Sequence, residues 1–248
     1  IVHSHNTRIS HEGRSKLEMW ARQLLLKPLK TSRWIDKRLA CSVDAGRWLF
    51  GPNSDFEVVK NGIQIARFRF EFQTRQRVRA DLGVKEGEWL IGHVGNGTEA
   101  KNHLFLLAVF AEFHKVHPSS KLVLVGDLSR RQTAIQNFVA THHLTDCVSI
   151  IGIRSDVPQL MMAMDLFVFP STYEGLGIVL IEAQSEGLPC LVSNMIPREA
   201  KVSEWYESEL LSAHIKNWVN KMEHMLQKNI DRDYAWKSVA ENGYDVCM

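Results

Sequence analysis

Trp89-Leu90-Ile91-Gly92-His93-Val94, running into Gly95-Asn96-Gly97-Thr98-Glu99-Ala100-Lys101, is the stretch that decides how this chain folds. A short apolar run closed by glycines and followed by helical periodicity over 101–116 reads as a buried strand feeding a helix. The same unit recurs downstream. Strands are expected at Leu122–Val125, Val148–Ile151, Leu166–Phe169 and Cys190–Val192, with helices at 130–143, 156–164 and 176–186 between them. Apolar strands alternating with helices imply βαβ units and an α/β fold with a doubly wound parallel sheet of Rossmann-like type. Such sheets bind ligands beyond the carboxyl ends of their strands. A further amphipathic helix is expected over 212–228, packing through Ile215, Trp218, Val219, Met222 and Met225.

The loop 95–101 therefore sits where a ligand would. Its glycines let a backbone approach an anion, amides at a helix start point toward it, and Lys101 adds a positive charge. The same residues spell GxGxxA and Asp127 ends the next strand, so a nicotinamide-dinucleotide site stays open at this point. A second element bears on the choice. In Tyr173-Glu174-Gly175-Leu176-Gly177-Ile178-Val179-Leu180-Ile181-Glu182-Ala183, two carboxylates lie eight positions apart, a little over two helical turns, so both can face one cleft. Gly175, Leu176 and Gly177 would present amides at a helix N-terminus. A nucleotide sugar asks for this set: acceptors for the ribose and sugar hydroxyls, and donors for the pyrophosphate between them. An acid in a helix as apolar as Ile178–Ala183 is costly unless it is used.

With 248 residues, 45% of them apolar, the chain can bury a substantial core, and a formal charge of +2 argues against nucleic-acid binding. The dispersed Cys41, Cys147, Cys190 and Cys247 form no CxxC pair and suit reduced thiols, pointing to a cytoplasmic setting. Residues 8–38 carry nine Lys and Arg against three acids with apolar residues at helical spacing, which reads as amphipathic helices. A charged connecting helix is expected over 66–82. Both ends of the chain look cut, so a partial chain is expected. No convincing cluster of metal ligands is legible; His142 and His143 are adjacent and lack obvious partners.

Taken together, the Glu174-x7-Glu182 element, the Lys101 loop, Gly152-Ile153-Arg154-Ser155-Asp156-Val157-Pro158 and the Asp165–Ser171 segment resemble glycosyltransferase family 4, retaining enzymes of GT-B fold. The likeness to bacterial exopolysaccharide and capsule glycosyltransferases is especially close. Asn61-Gly62-Ile63 is similar to that family's interdomain turn, and His3-Ser4-His5-Asn6 to a strand end of its N-terminal domain. The resemblance implies that 1–66 is a remnant of an acceptor-side domain and 67–248 a nucleotide-sugar-binding domain. It implies that Lys101 neutralises the donor diphosphate and Glu174 positions the transferred sugar, these two being the catalytic pair. Glu182 would hold the ribose, and Gly95, Asn96, Arg154 and the 175–177 amides would complete the donor site, with His5 on the acceptor side. No metal cofactor is implied. The acceptor would be a saccharide or a lipid-linked sugar, met at the inner face of a membrane through 8–38, although such charge more commonly marks a solvated helix face.

Two departures qualify the resemblance. Asn96 stands where the family usually has Arg, and an amide does not replace a guanidinium on a diphosphate. The family's N-terminal glycine-rich loop has no counterpart in the chain, so little or no transfer is expected of residues 1–248 alone. Two other readings remain: an oxidoreductase using Gly95, Gly97 and Asp127, whose Gly-to-Asp interval exceeds the usual roughly 20 residues, and a non-catalytic nucleotide-sugar-binding module.

Overall fold

The computed structural model describes residues 1–5, 7 and 35–246. The basic segment 8–38 therefore lies outside the described residues except for 35–38. Among the described residues there are two parallel sheets. The smaller contains β1 (Val2–Ser4), β2 (Arg38–Ala40) and β3 (Glu57–Val58), in that order. Helix α1 (Val43–Phe50) follows β2 at once, because the Ser42 hydroxyl accepts the Ala45 N–H at 3.1 Å and caps it. Sequence reading missed this helix, although Ser42 at its N-cap, Asp44 in its first turn and Gly51 at its C-cap are local signals.

The expected 66–82 helix is two pieces. A 3-10 turn at Ile65–Phe68 is separated by extended Arg69 from α2 (Phe72–Asp81). The larger sheet follows with β4 (Trp89–Val94), α3 (His103–Val116), β5 (Ser120–Val125), α4 (Gln132–Thr141) and β6 (Val148–Gly152). It continues through α5 (Val157–Ala163), β7 (Leu166–Phe169), α6 (Ile178–Ser185), β8 (Cys190–Ser193), β9 (Tyr206–Glu209), α7 (Ile215–Leu226) and α8 (Trp236–Glu241). Five of these six strands were expected. β9 was not, since Tyr206-Glu207-Ser208-Glu209 is a half-exposed edge strand without an apolar run.

The strand order is β6-β5-β4-β7-β8-β9, all parallel, so the chain reverses its winding direction between β4 and β7. Both faces are covered. Leu122 and Leu124 of β5 and Leu166 and Val168 of β7 join the core under α3, α4 and α7, whereas Val123, Val125, Phe167 and Phe169 join the core on the opposite face. This two-residue alternation between two dry faces explains why the strands read as unbroken apolar runs. Trp218, Val219, Met222 and Met225 are buried on α7, as their spacing requires.

The start of the β4–β7 pair is clamped by charge. Asp165 accepts from Arg75, from Arg79 Nη1 at 2.9 Å and from the Leu90 N–H at 2.7 Å. Arg75 also donates to the carbonyls of Met162, Ala163 and Met164 at 2.8–3.0 Å, closing the C-terminus of α5. At the other edge of the fold the last described residues return to the connector: the Ile63 N–H donates to Tyr244 O at 2.7 Å and the Val246 N–H to Ile63 O at 3.1 Å.

Candidate functional site

The reversal between β4 and β7 opens a crevice at their carboxyl ends, the general ligand position in open α/β sheets. A cleft of about 600 Å³ occupies it. It is walled by the loop after β4 (Val94, Gly95, Asn96, Lys101), by Glu174–Val179 and Glu182, and by His5, Cys41, Asn61 and Arg67 from the N-terminal part.

Glycines build the first wall, though not as donors to a ligand. The Gly95 N–H donates to Val125 O at 2.9 Å, the Gly97 N–H to Asp127 O at 2.6 Å, and the Gly126 N–H to Gly152 O at 2.8 Å. The ends of β4, β5 and β6 are thus laced together through backbone alone. At Gly126, with φ +132°, a Cβ would stand 2.2 Å from Gly95 O, so only glycine fits. Of the amides expected to meet an anion in this loop, those of Gly95 and Gly97 are already spent on the end of β5 and the residues after it. Nor does Lys101 open the following helix. It ends a 3-10 turn at Glu99–Lys101, and left-handed Asn102 (φ 56°) separates it from α3.

What Gly95 provides is room. A Cβ there would lie 3.2 Å from Lys101 Cδ, so its absence lets the lysine stem cross the loop and set its ammonium 4.6 Å from the Phe169 ring centroid. Below it, His93 Nδ1–H donates to Val168 O at 2.9 Å. Burial, and then the nearby Lys101 and Arg131, lower the pKa of His103 to about 4, and burial lowers that of His93 too. Both rings are neutral near pH 7, so neither adds charge behind Lys101.

The second wall supplies the amides. Gly177 is left-handed at φ 81° and starts α6, so residues 175–179 line the cleft with the first turn of the helix, where amides have no intrahelical acceptor. Their position is held from the N-terminal part: the Thr7 hydroxyl donates to Glu174 O at 2.8 Å and the Ser42 hydroxyl to Gly175 O at 2.5 Å. Glu174 and Glu182 both reach the same cleft. Lys101 Nζ meets Glu174 Oε1 at 2.6 Å, with side chains 16% and 14% exposed.

Burial pushes the Glu182 carboxyl above its ordinary value, and the Arg67 guanidinium pulls it back. One turn deeper, Glu186 is fully buried, its carboxyl oxygens find no hydrogen-bond donor among the described residues and its pKa is raised further; Arg232 Nη2 approaches to 4.0 Å. A carboxyl group accepts hydrogen bonds from two ligand hydroxyls, one at each oxygen, at full strength only when ionised. Affinity for any ligand whose hydroxyls Glu182 accepts is therefore expected to fall as pH drops through the raised Glu182 value, and Arg67→Gln should move that acid limb to higher pH. A limb unmoved in a pH series of binding titrations would refute the pairing.

Other expected site residues fall elsewhere. Arg154 is turned onto Asp156 in a bidentate pair at 2.7 and 2.8 Å and stays off the cleft wall, which its neighbour Ser155 joins instead. Asn96, by contrast, is on the cleft wall as expected, exposed, with its side-chain oxygen accepting the Thr98 hydroxyl at 2.8 Å. Asp127 accepts the Ser129 N–H at 3.1 Å outside the cleft. Sequence reading missed Arg67, Thr7 and Ser42. Arg67 was hidden in a charged run, and the two hydroxyls act on residues more than a hundred positions away.

Residues 74–242 match the family described as Glycosyl transferases group 1. The chain is 30% identical over 254 residues to the putative glycosyltransferase EpsF of Bacillus subtilis (strain 168), covering 99% of this chain and 65% of that protein. It is 29% identical over 166 residues to the UDP-Gal:alpha-D-GlcNAc-diphosphoundecaprenol alpha-1,3-galactosyltransferase of Escherichia coli, covering 66% of this chain and 43% of that enzyme. The chain thus spans less than two thirds of these relatives' lengths. The crystal structure of Anabaena Alr3699/HepE in complex with UDP-glucose superposes with a TM-score of 0.77 at 23% identity, over 99% of this chain and 68% of that one, which shows a shared fold of GT-B type.

Proposed function

Since the chain belongs to the group 1 glycosyl transferases, we propose that its cleft binds a nucleoside-diphosphate sugar and that the protein moves the sugar to a saccharide or lipid-linked acceptor, in the assembly of a bacterial exopolysaccharide or capsule. One observation carries the reading: Lys101, Glu174, Glu182 and the start of α6 share a single cleft at the winding reversal of the sheet. Each answers one part of such a donor. Lys101 and the amides of the α6 first turn take the diphosphate, Glu182 the ribose and Glu174 the sugar hydroxyls.

The finer reading places the protein in family 4 with retention of anomeric configuration. The acceptor hydroxyl then attacks on the face the diphosphate leaves, and the departing charge is stabilised by ammonium and amides already in place, with no metal ion required. Residues 67–248 form the donor side and 1–66 part of the acceptor side, with His5 on the cleft wall between them. We place the protein in the cytoplasm, in contact with the inner face of the membrane through 8–38. In co-sedimentation, anionic vesicles should hold the chain more than neutral ones; equal binding to both would remove the membrane contact.

Calorimetry with UDP, GDP and NADH tests the central reading. A nucleoside diphosphate should bind and NADH should not, and Asp127→Ala should leave binding unchanged. Preference for NADH, abolished by Asp127→Ala, would replace this reading with the oxidoreductase one.

A further inference from the structure

Lys101 and Glu174 each have a proposed partner on the donor, yet they are also joined to each other at 2.6 Å, largely shielded from solvent. A diphosphate cannot take the full charge of Lys101 while Glu174 holds it. The backbone around Glu174 is fixed, because its carbonyl accepts from Thr7 and the next carbonyl from Ser42. The carboxylate can therefore leave Lys101 only by side-chain rotation, and it must then find new donors or stand unpaired beside two phosphates. A bare nucleoside diphosphate offers it none. A sugar carried on the second phosphate offers several hydroxyls.

We propose that the Lys101–Glu174 pair is a specificity device that selects the sugar-bearing donor over the bare diphosphate. The pair resists any diphosphate, and only the hydroxyls of an attached sugar compensate the displaced carboxylate. This rests on the donor-site reading above and deepens it. After transfer the sugar is gone, Glu174 loses its hydroxyl donors and returns to Lys101, which helps expel the spent nucleotide. The selection works on affinity, so it is readable without any acceptor.

The test compares Glu174→Gln with the parent chain in binding titrations against UDP, GDP, UDP-glucose, UDP-galactose, UDP-N-acetylglucosamine and GDP-mannose. The amide removes the negative charge that competes for the Lys101 ammonium and no longer recoils from phosphate. Binding of the preferred bare diphosphate should tighten, by about fivefold. Binding of the preferred nucleotide sugar should weaken, so the two effects carry opposite signs. Glu174→Ala, run alongside with thermal melts to confirm folding, should give the same opposition. Tightening of both ligands alike would mean simple removal of a negative charge and would overturn the proposal while leaving the donor site intact, as would weakening of both. Binding of none of the six ligands by the parent chain would overturn the donor-site reading itself, and the selection with it.

Discussion

Lys101→Met is expected to weaken binding of a nucleoside diphosphate by about 100-fold, the largest single loss among the cleft residues. Two causes act in the same direction. A charge-assisted hydrogen bond to phosphate is lost, worth about 1.5–3 kcal/mol. Glu174 is also stripped of its cation at 2.6 Å and is left as an unpaired carboxylate beside the incoming phosphates. Methionine keeps a stem of similar length over Phe169 and across Gly95, so the loop itself should hold its shape. Titration calorimetry at constant ionic strength decides the matter; an affinity within threefold of the parent would mean that the ammonium does not meet the diphosphate.

The second large effect is on stability and lies at the opposite end of the same strands. Asp165→Ala should destabilise the fold by about 3 kcal/mol, because it leaves two guanidiniums in a mostly buried place without their carboxylate. Asp165 is 10% exposed, Arg75 19% and Arg79 15%, and the Leu90 N–H loses its acceptor as well. The carbonyls of Met162–Met164 and Glu88 still satisfy part of each guanidinium, which keeps the loss at the low end of the range for broken buried pairs. The midpoint of urea unfolding should fall by roughly 1 M with an unchanged slope. An unshifted midpoint would show that the carbonyls alone hold α2 against the sheet. The clamp also bears on function, since it sets the start of β4 and β7, the two strands whose far ends carry Lys101 and the 174–182 element.

Much of this architecture was legible in the chain. Apolar runs at 89–94, 122–125, 148–151, 166–169 and 190–192, separated by helical periodicity, were enough to derive a parallel doubly wound sheet, and each run is a strand. Glu174 and Glu182 share one cleft as expected, although Glu174 lies ahead of α6 and is brought there by the turn through left-handed Gly177, outside any helical repeat. The strand and helix runs themselves are properties of single elements, whose geometry repeats every two or 3.6 residues and is therefore written locally.

Partnership between elements was not written that way. Nothing local to Gly95 and Gly97 says that their amides are consumed by Val125 and Asp127; the approach of the β5 loop decides it. The same holds for the 2.6 Å meeting of Lys101 with Glu174, the reach of Arg67 toward Glu182, and the turning of Arg154 onto Asp156 and away from the cleft. The sequence by itself determined which layers form and which side chains are available at the carboxyl ends of the strands. Only the tertiary structure decided which of those groups already have partners, because a hydrogen bond or ion pair across 30 or 70 positions depends on how close packing brings separate elements together, and no periodicity along the chain records that distance.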